Sequence, residues 1–262
     1  MILTPGGSKR GLSYWLKALE CPCAHFMKYH ENEYVPTFPE PAQHKDDISP
    51  PFVGTIFHAL MGTSYWGGVI PPLHLEDMRL VQDVYPLEYA EADRLLLAYC
   101  AEYTLDKPSP TMLHYELDLV ATAEQCEFYN VPALTGRADM IVAWEGGVLP
   151  GSGVYCPPGE YLWDFKTSGK SSKILDKQHR MQMMLYQDLY AKPLQGAIID
   201  AVVSTKTVQL SRVVLPVVSD NDRKNIAETL MLAYMMQNLG ATKNAASCVL
   251  KYGVCEYYAR CW

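Results

Sequence analysis

The sequence lacks any apolar run long enough to cross a membrane. A membrane-spanning helix needs about 20 mostly apolar residues, whereas the longest candidates here are the short runs "GAIIDAVV" and "LMLAYMM". The opening residues "MILTPGGSKRGLSYW" also lack an apolar segment after their basic residues, so we predict no secretory signal. We therefore expect a cytoplasmic protein with reduced thiols and no membrane partner.

Positive charge is also scarce. The net charge is −7, with 22 lysines and arginines against 29 acidic residues, which excludes a surface coated with basic residues. A local basic groove remains compatible with this balance, because the field at a site depends on the charges near it. The run "KTSGKSSK" supplies three such charges, with a solvated surface loop as the alternative: Lys166, Lys170 and Lys173.

A nucleotide-binding phosphate loop is missing as well. In "GGSKRGL" a leucine stands where such a loop needs a lysine, so any helicase that acts with this chain would be a separate protein. Internal repeats and low-complexity segments are absent from the sequence. With 49% hydrophobic and 19% charged residues, the chain has the composition of a globular protein.

The residue pattern predicts one mixed α/β domain over residues 1–262, with helical additions at both ends. Helical spacing of apolar residues is found at 10–30, after Gly54, and at 87–106, 172–191 and 220–239. Strand-like patterns are found at 112–123, 136–147 and 161–169 and, around a short turn, at 197–217. A polar loop is predicted over 31–51 and a Gly/Pro-rich connection over 146–160.

Two carboxylates and a lysine lie on the predicted strands "GRADM" and "WDFKT". Asp164 and Lys166 are two residues apart and therefore point to the same face of a strand; Asp139 joins them if the two strands are neighbours. Paired carboxylates suit Mg²⁺, and a lysine beside them can orient a water. This set fits metal-assisted hydrolysis of a phosphodiester, whereas an Asp-x-Lys pair alone is also the pattern of a surface salt bridge.

Two further motifs lie on predicted helices. His58 stands four residues after Gly54, although a histidine on an apolar face is commonly a core residue. Gln182 and Tyr186 are four apart and share one face of the helix that follows the lysine run. The alternative for that segment, "MQMMLY", is a helix whose methionines and tyrosine are core residues.

Three of the eight cysteines lie in the last fifteen residues, "CVLKYGVCEYYARCW": Cys248, Cys255 and Cys261. In a reducing compartment, clustered cysteines indicate metal binding or catalysis more than disulfides. Three others have no assigned role and are expected as buried thiols: Cys100, Cys126 and Cys156.

Taken in order, Gly-x-x-x-His, Gly-x-x-Asp, Asp-x-Lys and Gln-x-x-x-Tyr resemble the RecB-type branch of the PD-(D/E)xK nucleases. "LSYWLKALECPCAHFMKYH" is similar to the opening helix of that branch, and the closing cysteines are similar to those of its iron–sulfur members, among them CRISPR spacer-acquisition nucleases and phage exonucleases. The resemblance spans about residues 12–262.

The resemblance implies an α/β, restriction-endonuclease-like fold with a mixed central sheet flanked by helices. The nuclease core would cover about residues 52–217. A metal cluster would join an N-terminal helix, about 10–30, to a C-terminal segment, about 220–262.

The resemblance also implies roles for the site residues. The implied ligands of Mg²⁺ or Mn²⁺ are His58, Asp139, Asp164 and the backbone carbonyl of Phe165. Lys166 would position or activate the attacking water. Further residues of the cleft and the DNA contact would be Glu116, in "HYELDL", and Gln182, Tyr186, Lys170 and Lys173.

A 4Fe–4S cluster is implied by the same resemblance, with the ligands Cys21, Cys248, Cys255 and Cys261. Zinc is the alternative, although structural zinc sites usually show close pairs such as C-x2-C, and the C-terminal spacings here are x6 and x5. Cys23 is the alternative to Cys21. Residues two apart on a helix point about 200° away from each other, so Cys23 is expected in the apolar core unless Pro22 breaks the helix.

The predicted function is a metal-dependent DNA exonuclease that prefers single-stranded or frayed ends and leaves 5′-phosphate and 3′-hydroxyl groups. It would serve recombination, repair, replication or CRISPR adaptation in a bacterial or phage-infected cell, with a separate helicase, recombinase or integrase as partner. The alternatives are an endonuclease of the same fold, a zinc- or cluster-binding enzyme of another class, and a non-catalytic DNA-binding or scaffold relative. The presence of Asp139, Asp164 and Lys166 argues against the scaffold.

Overall fold

Two compact units make up the chain in the computed structural model. One comprises Met1–Pro5, Thr37–Leu117 and Ala138–Val218, and the other comprises Gly6–Pro36, Asp118–Arg137 and Ser219–Trp262. The structure describes residues 11–21, 25, 39–62, 72–103, 110–168, 177–238, 249–250 and 253–254, without the side chains of 72–77, 249–250 and 253–254. A single domain over 1–262 stays a prediction.

A mixed sheet carries the strands on which the predicted chemistry lies. Its strands, in the spatial order β1-β2-β5-β6-β7, are β1 (Thr111–Val120), β2 (Thr135–Trp144), β5 (Gly159–Ser168), β6 (Ala197–Val203) and β7 (Gln209–Leu215). Strand β5 pairs antiparallel with β2 and parallel with β6. Two small two-stranded sheets are formed by β3 (Gly147–Val148) with β4 (Tyr155–Cys156), and by β8 (Val249–Leu250) with β9 (Gly253–Val254).

Helices precede, connect and follow these strands. They are α1 (Leu12–Glu20), a short 3₁₀ helix (Lys45–Asp47), α2 (Pro50–Leu60), α3 (Pro72–Val84), α4 (Pro86–Tyr103), α5 (Ala123–Phe128), α6 (Lys177–Leu189) and α7 (Asp220–Asn238). A parallel strand pair needs a crossover connection, and α6 lies in the connection between β5 and β6. The predicted mixed α/β fold, a central mixed sheet with flanking helices, is thereby confirmed.

The main core lies between the sheet and the helices α2 and α4. Alternate residues of β5, Trp163 and Phe165, are each 1% exposed and pack in one apolar cluster with residues of both helices, including Phe57 and Tyr99. Because successive side chains of a strand point to opposite faces, Asp164 and Lys166 are directed away from this cluster. The core therefore fixes β5 through one set of residues and leaves the other set for chemistry.

A buried ion pair joins the next two strands of the sheet, β6 and β7. Arg212 of β7 donates to the carboxylate of Asp200 of β6 at 2.6 and 2.7 Å, and both side chains are almost fully buried. Tyr99 of α4 donates to the same carboxylate, as does the indole of Trp163 at 2.8 Å. The guanidinium also lies 3.9 Å from the centre of the Tyr103 ring. A buried charge is tolerated when it is paired and hydrogen-bonded, and this network joins α4 to the sheet.

In the second unit, α1 packs against α7. Trp15 is 1% exposed and its ring lies 6.0 Å from that of Tyr234, while Gln237 donates to the Tyr14 hydroxyl at 2.9 Å. Helix α1 ends at Glu20, and Cys21 follows with extended backbone. The residue before a proline disfavours helical dihedrals, and Pro22 comes next in the sequence. The prediction of one helix over 10–30 is therefore corrected at Cys21.

Several predicted boundaries also change. Helix α2 begins at Pro50, not after Gly54, because proline is well suited to the first turn of a helix. The helices α3 and α5 were not predicted, and the connection over 146–160 contains the short strands β3 and β4. Within the described part of the chain, no helix is both long enough and apolar enough to span a membrane.

Candidate active site

Helix α2 holds His58 against the strands β2 and β5 of the sheet. The helix buries its apolar residues against β5, and the imidazole ring of His58 lies 6.0 Å from the ring of Phe165. Its Nδ1 lies 3.2 Å from Oδ2 of Asp139 on β2. The structure thus brings together two of the predicted metal ligands that are 81 positions apart in the sequence.

Asp139 is anchored by the neighbouring strand. Its Oδ2 accepts a hydrogen bond of 2.8 Å from the backbone N–H of Phe165. Burial alone would raise the pKa of Asp139, but His58, Lys166 and this backbone donor outweigh burial, and its pKa is lowered. The pKa of His58 is raised, because its interaction with Asp139 outweighs the opposing effect of burial. Asp139 therefore favours the protonated form of His58.

Glu116 completes a group of three ligand atoms. One ligand atom each from His58, Glu116 and Asp139 lies within 4.8 Å of the other two, and all three residues are half-buried. Glu116 has a positive φ of 48°. This left-handed conformation is uncommon for a residue other than glycine, and such strain is concentrated at functional sites.

Asp164 and Lys166 form the second part of the site. Asp164 is 1% exposed, and its Oδ2 lies 2.7 Å from Nζ of Lys166. Burial, together with the charge of Asp139, raises the pKa of Asp164 to about 6, although Lys166 opposes the shift. For Lys166 burial lowers the pKa, but Asp164 and Asp139 outweigh it, so the pKa is raised and the side chain is an ammonium ion.

Gln182 and Tyr186 meet on α6, as their spacing predicts. Nε2 of Gln182 donates to the hydroxyl of Tyr186 at 2.8 Å, and Tyr186 is 4% exposed. Tyr186 interacts electrostatically with Lys166. The Gln-x-x-x-Tyr pair therefore belongs to the electrostatic surroundings of Lys166.

The donor set fits a divalent cation that prefers oxygen ligands. Ligands of an octahedral Mg²⁺ lie about 2.1 Å from the ion, so two of them are at most roughly 4.2 Å apart. The ligand atoms of His58, Glu116 and Asp139 all lie within 4.8 Å of one another, so small shifts bring them into range of one ion. An imidazole beside carboxylates also suits Mn²⁺. Asp164 lies outside this group of three among the residues that the structure describes, and is paired with Lys166 instead.

The remaining predicted residues have different outcomes. The N–H of Phe165 bonds to Asp139 and its ring belongs to the core, while its carbonyl as a metal ligand stays a prediction. Cys21 is a free thiol, 3% exposed, at the end of α1. The predicted residues that lie outside the described part of the chain are Lys170, Lys173, Cys23, Cys248, Cys255 and Cys261.

One contact of the site was not predicted. The hydroxyl of Tyr115 donates to the backbone carbonyl of His58 at 2.8 Å. Burial, with the charges of Glu116 and Asp139, raises the pKa of this phenol well above its ordinary value, so it stays a donor. The signal in the sequence is its position directly before Glu116, which alone does not reveal the contact.

Comparison with known proteins places the chain in context. The family model for the PD-(D/E)XK nuclease superfamily matches residues 16–261. A crystal structure of a protein named "Putative exonuclease" from Eubacterium rectale has a TM-score of 0.53 at 10% identity, covering 96% of this chain and 88% of that one. The crystal structure of SSO0001 has a TM-score of 0.36 at 13% identity, covering 88% of this chain and 87% of that one. No curated protein matches the sequence.

Proposed function

Because this chain belongs to the PD-(D/E)XK nuclease superfamily, we propose that it is a metal-dependent deoxyribonuclease whose active site is built from α2, β1, β2, β5 and α6. The observation that carries the proposal is the convergence of two sets of side chains from distant parts of the sequence. The first is the ligand group of His58, Glu116 and Asp139. The second is the Asp164–Lys166 pair at 2.7 Å.

The proposed metal ligands are His58, Glu116 and Asp139, with Asp164 and the carbonyl of Phe165 as further ligands. Mg²⁺ or Mn²⁺, when bound, would supply stabilisation of the negative charge that develops on the phosphate oxygens. Asp139 is already ionised, as its lowered pKa indicates. The mixed nitrogen and oxygen donors favour Mn²⁺ over Mg²⁺ in affinity, because Mn²⁺ is a transition-metal ion and accepts an imidazole nitrogen more readily than Mg²⁺, which prefers oxygen ligands.

Lys166 acts in the proposed reaction as a cation rather than as a base. Its raised pKa keeps the ammonium group protonated at neutral pH, so it can donate hydrogen bonds to the attacking water or to a phosphate oxygen. Asp164 holds this ammonium group in place at 2.7 Å. The Gln182–Tyr186 pair would line the cleft and contact Lys166 or the DNA backbone.

The proposed substrate is DNA with single-stranded or frayed ends, and the proposed action is exonucleolytic, as in the RecB-type branch of the superfamily. Lys170 and Lys173 would add backbone contacts, whose strength should fall with rising salt. The pathway, whether recombination, repair, replication or CRISPR adaptation, and a separate helicase, recombinase or integrase as partner stay predictions, as does a bacterial or phage origin.

A 4Fe–4S cluster is proposed as a structural cofactor. Two facts support it: Cys21 is buried directly after α1, and α1 packs on α7, the helix that precedes the segment with Cys248, Cys255 and Cys261. The family match at 16–261 also includes all four cysteines. Because α1 ends at Glu20, helical geometry does not separate Cys21 from Cys23, and Cys23 stays the alternative ligand.

Digestion of labelled DNA tests the nuclease. Wild-type protein with Mn²⁺ or Mg²⁺ should degrade end-labelled linear DNA and leave closed circles intact. Asp139→Asn and Lys166→Met should abolish cleavage, whereas Lys192→Met, which alters an exposed lysine 3.7 Å from Glu160, should cut at the wild-type rate. Cutting of closed circles at the same rate as linear DNA would indicate an endonuclease rather than an exonuclease. Wild-type rates in the Lys166→Met variant would refute the proposed site, and DNA binding without cleavage would favour a scaffold.

A further inference from the structure

Two consecutive residues of β1 face the same histidine. In a regular strand, neighbouring side chains point to opposite faces. Here the carboxylate of Glu116 belongs to the ligand group with His58, while the hydroxyl of Tyr115 donates to the carbonyl of His58 at 2.8 Å. The left-handed backbone at Glu116, with φ of 48°, interrupts the regular strand geometry at this point.

We propose that Tyr115 is a positioning residue that sets His58 against the metal site, a role that rests on the proposed function. It contacts α2 and the chain directly after that helix. The hydroxyl binds the carbonyl of His58, and the ring packs so closely on Gly62 that a Cβ at residue 62 would overlap it. One contact lies in the last turn of α2 and the other two residues after Leu60, so together they restrain the end of the helix against β1.

The end of a helix needs such a support. The last four carbonyls of an α-helix have no regular intrahelical partner, and α2 ends at Leu60. The carbonyl of His58 receives the N–H of Met61 as well as the Tyr115 hydroxyl. If the hydroxyl is removed, the last turn loses this bond to β1, and the imidazole can drift from Asp139, 3.2 Å away.

The chain offers a matched control for this bond. Tyr161 donates to the carbonyl of Pro157, also at 2.8 Å and also in a part-buried position, but at the start of β5 and without contact to His58. Tyr115→Phe and Tyr161→Phe therefore each remove one hydroxyl bond to a backbone carbonyl and keep the ring, and Tyr161→Phe also removes the bond of that hydroxyl with the Cys156 thiol. Each should lower the melting temperature of the metal-free protein by about 2–4 °C.

The test is a titration of Mn²⁺ binding in the absence of DNA, monitored by the electron paramagnetic resonance signal of free Mn²⁺. His58→Ala is the reference for a lost ligand. Tyr115→Phe should weaken Mn²⁺ binding about 10-fold, the lower end for groups that orient metal ligands, while Tyr161→Phe should bind like the wild type. Gly62→Ala, which displaces the ring, should weaken binding in the same direction. In cleavage assays the Tyr115→Phe defect should shrink as Mn²⁺ is raised.

Each other result would overturn the proposal. Unchanged Mn²⁺ affinity in Tyr115→Phe, with the expected loss of melting temperature, would reduce Tyr115 to a residue of the fold. Equal weakening in Tyr161→Phe would show that any lost bond loosens the site. If His58→Ala binds Mn²⁺ as tightly as the wild type, His58 is not a ligand of the proposed metal site, and Tyr115 has no positioning role there.

Discussion

Gly54→Ala tests how closely α2 must approach β5. Gly54 lies inside the helix, one turn before His58. A Cβ built on Gly54 would overlap Oγ1 of Thr167, the residue that follows Lys166 on β5. To restore van der Waals contact, the helix would have to move away from the strand by about 1 Å. The substitution therefore perturbs the distance between the two elements that carry the site.

Two opposing effects decide the stability of this variant. Alanine is favoured over glycine in a helix interior by about 1 kcal/mol. Overpacking of a closely packed contact costs about 1–3 kcal/mol, so we expect a net loss of about 1 kcal/mol in the free energy of unfolding. Activity should suffer more, because His58 moves with α2 and a displacement of about 1 Å at a reacting site can cost roughly 100-fold in rate.

A second substitution separates the overlap from any other effect of alanine. In Thr167→Ala the hydroxyl is gone, and the nearest remaining atom, Cβ of residue 167, lies 3.7 Å from the added methyl group, an ordinary contact. The double variant should regain cleavage and exceed the Gly54→Ala variant in urea-unfolding free energy, with Thr167→Ala alone as control. A Gly54→Ala protein that is about 1 kcal/mol more stable and cuts at the wild-type rate would refute the close-approach argument.

Three further predictions concern charge and thiols. Burial raises the pKa of Asp164 to about 6, so the contribution of its protonated form to stability is full below the unfolded pKa of about 4 and is lost as pH rises through 6. Between about pH 4 and 6 the melting temperature of the metal-free wild type should therefore fall relative to that of Asp164→Asn, and melting temperatures that change in parallel with pH would contradict this. Arg212→Met leaves the buried Asp200 unpaired and should cost about 3–5 kcal/mol in urea unfolding, whereas a loss under 1 kcal/mol would mean that water or rearrangement replaces the pair. Anaerobically purified protein should hold about four irons per chain, lost in Cys21→Ser and kept in Cys126→Ser; stoichiometric zinc would contradict the cluster.

The two faces of strand β5 could be predicted because its sequence is locally consistent. "YLWDFKTS" alternates core and site residues, and the structure buries Trp163 and Phe165 while Asp164 and Lys166 pair on the other side. The Gln182–Tyr186 contact followed from helical spacing in the same way. In both cases the partners are two or four residues apart, and the geometry of one element determines their separation.

Helix α3 and the start of α2 could not be predicted on the same grounds. Prolines at 50, 51 and 72 look like interruptions in the sequence, yet a proline at the first turn has the backbone angle that a helix needs and lacks an N–H that would be unpaired there in any case. The pattern of residues cannot distinguish a proline that ends one element from a proline that begins the next. The burial of Arg212 with Asp200 was equally hidden, because charged residues are ordinarily exposed.

The ligand group of His58, Glu116 and Asp139 depends on an irregular backbone conformation that the regular side-chain periods of strands and helices do not predict. Glu116 is itself the left-handed residue of β1, and its carboxylate lies in one group with His58 and Asp139. The residue before it, Tyr115, donates to the carbonyl of His58. A regular strand would be more stable locally, since a left-handed residue other than glycine costs about 1–2 kcal/mol. Glu116→Gly should therefore stabilise the metal-free fold while weakening Mn²⁺ binding. Such opposite signs are expected where strain serves the site and not the fold.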